Sequence, residues 1–450
     1  MERVVVIGGD AAGMSAAAQI SRGAEPREVV VFERGEYTSF AACGLPYFVG
    51  GLVESADRLV ARSPEQHRAN GIDVRTRHEV VAIDTGRRSV TVRDLDAGTE
   101  TDERYDHVLI AVGATPIRPP FPHLDAPGVF GIQTIPDALA IDEVLRTRSP
   151  RRAVVVGGGY IGLEMVEALV LRGLEVTMVE KLPQPMATLD PDMGERVAEA
   201  LRAMGVTTRL GVGVAGFGVG ADGWVDSVGT DDGDLPADLV VMGLGVRPST
   251  RLAVDAGIPV GSSGGIVTDA RMATPVDGVW AAGDCVESFH RVSRRAVSIA
   301  LGTHANKQGR VAGLNLSGTP ARFPGVIGTA ITKIGTTEIA RTGLNEREAA
   351  QAGFDAVAGV IEGTSRAHYY PDGAELAVKV VAERGSGRIL GAQIVGGPES
   401  AKRIDALAVA VWDEMTVDEF SQLDLAYAPP FSPVWDPTMI ATRTTASRVR

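Results

Sequence analysis

One pattern, written twice, limits what this chain can fold into. RVVVIG at residues 3–8 runs into the turn GDAAG and the helical stretch MSAAAQISRG, and RAVVVG at 152–157 runs into GGYIG and LEMVEALVLRG. Each continues into a second apolar run that ends on an acid, Glu33 in the first copy and Glu180 in the second. Strand, glycine turn, helix, strand, acid is the dinucleotide-binding fingerprint, and both copies have it in the right structural context. The first glycine of each turn (Gly8, Gly157) allows a sharp reversal. The last (Gly13, Gly162) lets helix and strand pack closely. A pyrophosphate then sits on free N–H groups at the helix N-terminus, where the helix dipole favours negative charge. The terminal acid accepts hydrogen bonds from ribose hydroxyls. The middle glycine is present in the second copy as Gly159, whereas Asp10 takes that position in the first. A carboxylate facing a pyrophosphate would repel it, so the Asp10 side chain is expected to turn away.

Length and charge exclude several classes of function. A chain of 450 residues predicts two to three domains with their own cores. Acidic side chains outnumber basic ones, 57 to 44, for a net charge of −13. Nothing in that balance offsets phosphate repulsion, so a nucleic-acid partner is not expected. No apolar run reaches the roughly 18 residues that span a bilayer, so no membrane association is expected. The opening MERVVVIGGD enters a strand directly, and no signal peptide is expected. Two cysteines, Cys43 and Cys285, cannot build a disulfide framework, which points to a reducing, cytoplasmic setting. The seven scattered histidines show no metal-ligand spacing, and no metal is expected.

Three further segments complete the pattern. HVLIAVGATP (107–116) and PADLVVMGLGVRP (236–248) each read as a strand entering a glycine turn, and GVWAAGDC (278–285) as a strand ending in Gly283-Asp284. From about Phe323 the pattern changes to strands such as ELAVKVVAE and RILGAQIVG alternating with AKRIDALAVAVWDEM and TVDEFSQL. The expected fold is α/β: two Rossmann-like dinucleotide-binding units followed by a C-terminal α+β domain.

With SFAACGLPYFVGG (39–51) following the first acid, the chain resembles the two-dinucleotide-domain flavoproteins, the pyridine nucleotide–disulfide oxidoreductases, over essentially its whole length. The resemblance implies an FAD domain at 1–116 and 271–322, an NAD(P)H domain with its linkers at 117–270, and a dimerisation domain at 323–450. Relatives of the glutathione reductase type carry a cysteine pair in the redox segment; here Cys43 stands alone. Ser-x-x-x-Cys-Gly-x-Pro-Tyr is similar to the single-cysteine subgroup of coenzyme A disulfide reductases, NADH oxidases and peroxidases, and persulfide reductases. AHYYPDG (367–373) and LDLAYAPPFSPVWDP (423–437) are similar to the coenzyme A disulfide reductase branch. No rhodanese-like extension is expected after residue 450, and a stand-alone reductase is the expectation.

The resemblance carries roles over to particular residues. Cys43 is the redox thiol, and a helix N-terminus with a nearby flavin is expected to lower its pKa. Tyr427 and Tyr369 reach the thiol of the partner subunit in a homodimer with shared sites, Tyr427 as general acid. Ser15, Gln19, Arg22 and Ser39 match the coenzyme A pocket, and Ala42 stands where the family often has asparagine. Gly8, Ala11, Ala12, Gly13, Glu33, Arg34, Ala111, Gly113, Gly283 and Asp284 hold FAD, with Asp284 on the ribityl chain. Thr303, His304 and Ala305 open a helix aimed at the flavin pyrimidine edge, and His304 is read as a packing residue. Gly157, Gly159, Tyr160, Ile161, Gly162, Glu164, Glu180, Lys181, Gly243 and Gly245 form the NAD(P)H site. Tyr160 covers the flavin until nicotinamide arrives, and Glu164 contacts the nicotinamide. An acid at Glu180 favours NADH over NADPH, and Lys181 opposes that preference. The implied activity is NAD(P)H-driven reduction of a small disulfide or persulfide, coenzyme A disulfide foremost. The alternatives are an oxidase or peroxidase cycling through a Cys43 sulfenic acid, an electron-transfer reductase for a protein partner, and a redox-sensing or purely structural flavoprotein.

Overall fold

The valine-rich runs form strands buried on both faces, as parallel sheets require. In the computed structural model, which describes residues 1–449, Val4, Val5, Val6, Val30 and Val31 are fully buried. The first sheet has five strands in the order Val279–Ala281, His107–Ile110, Arg3–Ile7, Glu28–Glu33, Asp73–Thr76, all parallel. The second repeats the plan in the order Thr207–Leu210, Glu175–Glu180, Arg152–Val156, Leu239–Met242, Val129–Gly131. Chain order differs from strand order in both, so each sheet has its central strand followed by a glycine turn at the carboxyl edge, where α/β folds bind ligands. The helices Ala11–Ser21 and Tyr160–Leu171 leave those two turns.

Each unit also carries an antiparallel three-stranded sheet, at His78–Arg104 and at Val214–Pro236, which the periodicity had not revealed. The two chain crossings between the units pair with each other, Ala114–Pro116 against Val246–Pro248. Among the described residues no helix is long and apolar enough to cross a membrane.

The C-terminal domain is a five-stranded antiparallel sheet in the order Ala330–Ile334, Thr337–Gly343, Ile389–Gly396, Glu375–Glu383, Ala356–Thr364. Helices Ile404–Trp412 and Pro437–Val449 pack on it. Its other face joins the second unit: Ile334, Ile339, Ala377 and Val395 share one core with Leu163, Met165 and Met193. A buried charge cluster pins the same junction. Lys379 Nζ lies 3.2 Å from Asp190, 2.8 Å from Asp192 and 2.5 Å from Glu346. Gln393 exchanges two hydrogen bonds with Asp190, at 2.7 and 2.8 Å. A lysine that is 4% exposed is tolerable only because carboxylates surround it.

Candidate active site

The two glycine turns are built alike, down to single atoms. Gly8 and Gly157 have φ of +106° and +108°, a region open to glycine at little cost. A Cβ on Gly8 would strike the carbonyl oxygen of Ala111, and one on Gly157 that of Gly243. Gly13 and Gly162 lie against the carbonyl oxygens of Gly8 and Gly157, with no space for a side chain. Gly113 and Gly245 turn the chain away at φ of +67° and +83°. The acids are anchored identically. Glu33 accepts from the N–H groups of Gly9 and Gly35, both at 2.7 Å. Glu180 accepts from Gly158 at 2.7 Å and Leu182 at 2.8 Å. A carboxylate held this way keeps further lone pairs for ribose hydroxyls. Arg34 and Lys181 follow the acids, both exposed.

The middle positions separate the two turns. A Cβ at Gly159 would meet no protein atom within 4 Å. At Asp10, Oδ1 is buried without a hydrogen-bond partner. Burial, then Glu33 and more weakly Asp284, push the Asp10 acid up to about 6, while the Phe40 and Ala11 main chain pulls the other way. Its carboxyl is thus drawn to the redox loop at Phe40. Asp284 Oδ1 is likewise buried and unpartnered, and burial raises that acid too. Two orphaned acid oxygens beside a glycine cradle are what a flavin nucleotide with many hydroxyls would satisfy, so these residues fit FAD.

The turn that presents Asp284 is set by a residue the sequence did not flag. Gln308, 1% exposed, accepts from the Gly283 N–H at 2.8 Å and donates to Ser288 at 2.8 Å. It lies on the helix Gly302–Leu316, which packs on Ala11–Ser21 because Gly309 and Gly313 meet the backbones of Ala12 and Ala16. Thr303, His304 and Ala305 are in its first turn. His304 is partly buried; desolvation chiefly lowers its imidazole pKa, the Ile299 carbonyl opposes this, and Lys307 adds weakly to it. Beside that helix Ser15 meets Asn306 at 2.8 Å, Gln19 one turn on lies against Gly313, and Arg22 is exposed at the C-cap of its own helix.

Cys43 sits in a single 3₁₀ turn, Ala42–Gly44, that leads into the short helix Leu45–Val49 with Pro46 near its start. Both Ala42 and Cys43 are exposed. Cys285 is fully buried, contacts the carbonyls of Ile110 and Ala282, and is pushed up to about 12 by burial. The expected lowering of the Cys43 pKa is not what the protein alone provides. Although the residue reaches solvent, partial desolvation raises its thiol, and Glu164 and then Asp284 raise it further. A helix of five residues has too little dipole to outweigh those two carboxylates.

Glu164 is held by a domain junction. Its Oε1 accepts from Thr332 of the C-terminal domain at 2.9 Å, and burial raises its acid. One turn on, the buried Glu167 pairs with Lys333 at 2.6 Å. Tyr160 opens the same helix; burial raises its phenol, and Arg341, Glu348 and Glu164 lie around it. Ile161 and Gly162 complete that first turn. Tyr369 and Tyr427 stand on the C-terminal domain, 65% and 45% exposed. The neighbouring Tyr369 phenol raises the Tyr427 pKa.

Known proteins share this architecture. Residues 2–309 match the family model for pyridine nucleotide-disulphide oxidoreductases, and residues 329–438 match the model for their dimerisation domain. The chain is 38% identical, over 444 residues and 98% of both chains, to the NAD(P)H coenzyme A polysulfide/persulfide reductase of Pyrococcus horikoshii. The NAD-dependent persulfide reductase from A. fulgidus superposes with a TM-score of 0.96 at 38% identity, over 99% of this chain and 83% of that one. Reduced CoADR-RHD from Bacillus anthracis superposes with a TM-score of 0.96 at 33% identity, over 100% of this chain and 80% of that one.

Proposed function

The chain belongs to the pyridine nucleotide-disulphide oxidoreductase family, and from that premise we propose that it is an FAD-dependent NAD(P)H reductase of coenzyme A disulfides and persulfides, working through Cys43 alone. The observation that carries this reading is the contrast between its two thiols: Cys43 is exposed in the redox segment, whereas Cys285 is sealed in the core. When bound, FAD on the first unit supplies the relay of an electron pair from NAD(P)H to sulfur. Gly8, Ala11, Ala12, Gly13, Glu33, Arg34, Ala111, Gly113, Gly283, Asp284 and Thr303–Ala305 hold it. Gly157, Gly159–Gly162, Glu180, Lys181, Gly243 and Gly245 hold the nicotinamide nucleotide, NADH before NADPH because the Glu180 carboxylate disfavours a 2′-phosphate on the ribose. Tyr160 and Glu164 face the nicotinamide.

The protein's own part is thiol chemistry. Cys43 as thiolate attacks one sulfur of the substrate; a Cys43 mixed disulfide forms, the substrate S–S bond breaks, and one coenzyme A thiolate leaves. The departing sulfur takes a proton from the phenol of Tyr427, with Tyr369 holding that phenol in place. Both tyrosines come from the partner subunit of a homodimer. Ser15, Gln19, Arg22 and Ser39 bind the coenzyme A tail beside Ala42.

Cys43→Ser tests the scheme. The variant should retain FAD and let NADH bleach it, yet lose turnover with coenzyme A disulfide and with coenzyme A persulfide. A variant that turns over either substrate at the wild-type rate refutes the assignment. Wild-type protein that consumes NADH only with oxygen or peroxide, and yields a Cys43 sulfenate by mass spectrometry, is an oxidase instead.

A further inference from the structure

His67 is the most thoroughly buried histidine, 2% exposed, and it belongs to no motif. It lies on the short helix Pro64–Ala69, fixed at its start by a capping box between Ser63 and Gln66. Its Nε2 is 3.0 Å from the hydroxyl of Ser39. Ser39 is four residues ahead of Cys43 and has φ of +49°, a left-handed conformation that costs a non-glycine residue roughly 1–2 kcal/mol. Such a conformation persists only where the surroundings over-determine it. Here the Ser39 N–H donates to Gly9 at 3.0 Å, its carbonyl accepts from Ala61 at 2.9 Å, and Ala41 donates to Leu59 at 2.8 Å. The backbone is therefore held between the first glycine turn and the segment 59–61. The side chain has one protein partner, the imidazole.

A serine hydroxyl rotates freely unless something fixes it. Desolvation, and secondarily Arg62, keep the His67 ring neutral, so it occupies one hydrogen-bonding direction of the half-buried hydroxyl without adding charge. The other directions remain for a ligand. We propose that His67 is a positioning residue for substrate recognition: by fixing the Ser39 hydroxyl it makes the redox loop favour disulfides and persulfides that carry the coenzyme A tail over sulfur compounds that lack it. This rests on the reading above that Ser39 contacts coenzyme A.

The test uses the FAD-loaded full chain with coenzyme A disulfide and, as the tailless acceptor, inorganic polysulfide. His67→Leu should raise KM for coenzyme A disulfide about tenfold, the worth of one hydrogen bond. It should leave kcat, turnover with polysulfide and the rate of flavin bleaching by NADH within about twofold. His67→Gln, which keeps a polar group at similar reach, should recover most of the loss. Ser39→Ala should match His67→Leu, and the double variant should be no worse than either, since both remove the same interaction. Equal losses on both acceptors, additive effects in the double variant, or a wild-type KM for His67→Leu overturn the inference. If Ser39→Ala alone leaves the coenzyme A disulfide KM unchanged while His67→Leu raises it, the Ser39 reading fails and the histidine acts by another route. His67→Asn, polar but too short, gives the same comparison should the leucine variant not fold.

Discussion

At the scale of single residues, Cys43, Glu33, Glu180 and the turn glycines were visible in the sequence because each has a fixed place in a short motif. His67, Gln308, Thr332 and Lys333 were not, because they reach the site from segments with no motif and only the fold brings them in. The protein's own electrostatics at Cys43 were hidden for the same reason: burial first, then Glu164 and Asp284 from distant parts of the chain, raise its thiol. Asp10 makes a related point that can be measured. Its acid rises from 3.8 to about 6 on folding, chiefly through burial. Below pH 4 folded and unfolded chains both hold the proton, so nothing is lost. Between pH 4 and 6 the unfolded chain releases it first, and stability falls as pH rises, by about 3 kcal/mol in all. Above pH 6 the loss stays constant. Asp10→Asn keeps the shape without the charge. In thermal denaturation of cofactor-free protein the variant should match wild type near pH 4 and gain several degrees over it by pH 7. Parallel pH profiles for the two proteins contradict the buried-acid account.

At the scale of elements, the repeat was readable because a fully buried parallel strand has an unbroken apolar run and its turn must be glycine. The three-stranded appendages at 78–104 and 214–236 are harder to read because their half-exposed strands lack an unbroken apolar run: Glu100–Arg104 is wholly polar. The fingerprint also divides into positions that serve the fold and positions that serve the ligand. Gly162→Ala puts a methyl group on the Gly157 carbonyl, where neither backbone can yield, and overpacking of that kind costs about 1–3 kcal/mol. Gly159→Ala meets no protein atom, and its φ of −83° suits alanine. Its methyl group instead opposes the close approach of a pyrophosphate to the backbone. Gly162→Ala should therefore lower Tm by several degrees, whereas Gly159→Ala should leave Tm within about a degree and weaken NADH binding at least tenfold by titration. A large stability loss at Gly159, or undiminished NADH affinity there, would show the division to be wrong.

At the scale of the whole molecule, the C-terminal domain has two jobs with different faces. One face locks onto the nucleotide unit through Lys379, Gln393 and Thr332, and this holds Glu164 in place. The segment 427–435 presents Tyr427, Phe431, Val434 and Trp435 outward, the last three at least half exposed. That segment is ordered from behind: Arg403 binds Asp436 at 3.0 Å and the Phe431 carbonyl at 2.8 Å. A loop of exposed aromatics near the exposed Tyr369 is suited to meet another surface, and the match to a dimerisation domain makes a second copy the natural one. In the proposed isologous dimer, Tyr427 of each chain serves the thiol of the other. Tyr427→Phe should leave NADH-driven flavin bleaching intact and slow disulfide turnover, since general acid help is worth roughly 10²–10⁴-fold. Mixing chains that carry only Cys43→Ser with chains that carry only Tyr427→Phe separates the two arrangements. After random subunit exchange half the dimers are mixed, and in a cross-chain site one of their two centres has both lesions and the other has neither. Activity should then rise to about a quarter of the wild-type level. If proven exchange leaves activity at the level of the parents, Tyr427 does not act across the dimer, and the phenol serves its own chain or no thiol at all.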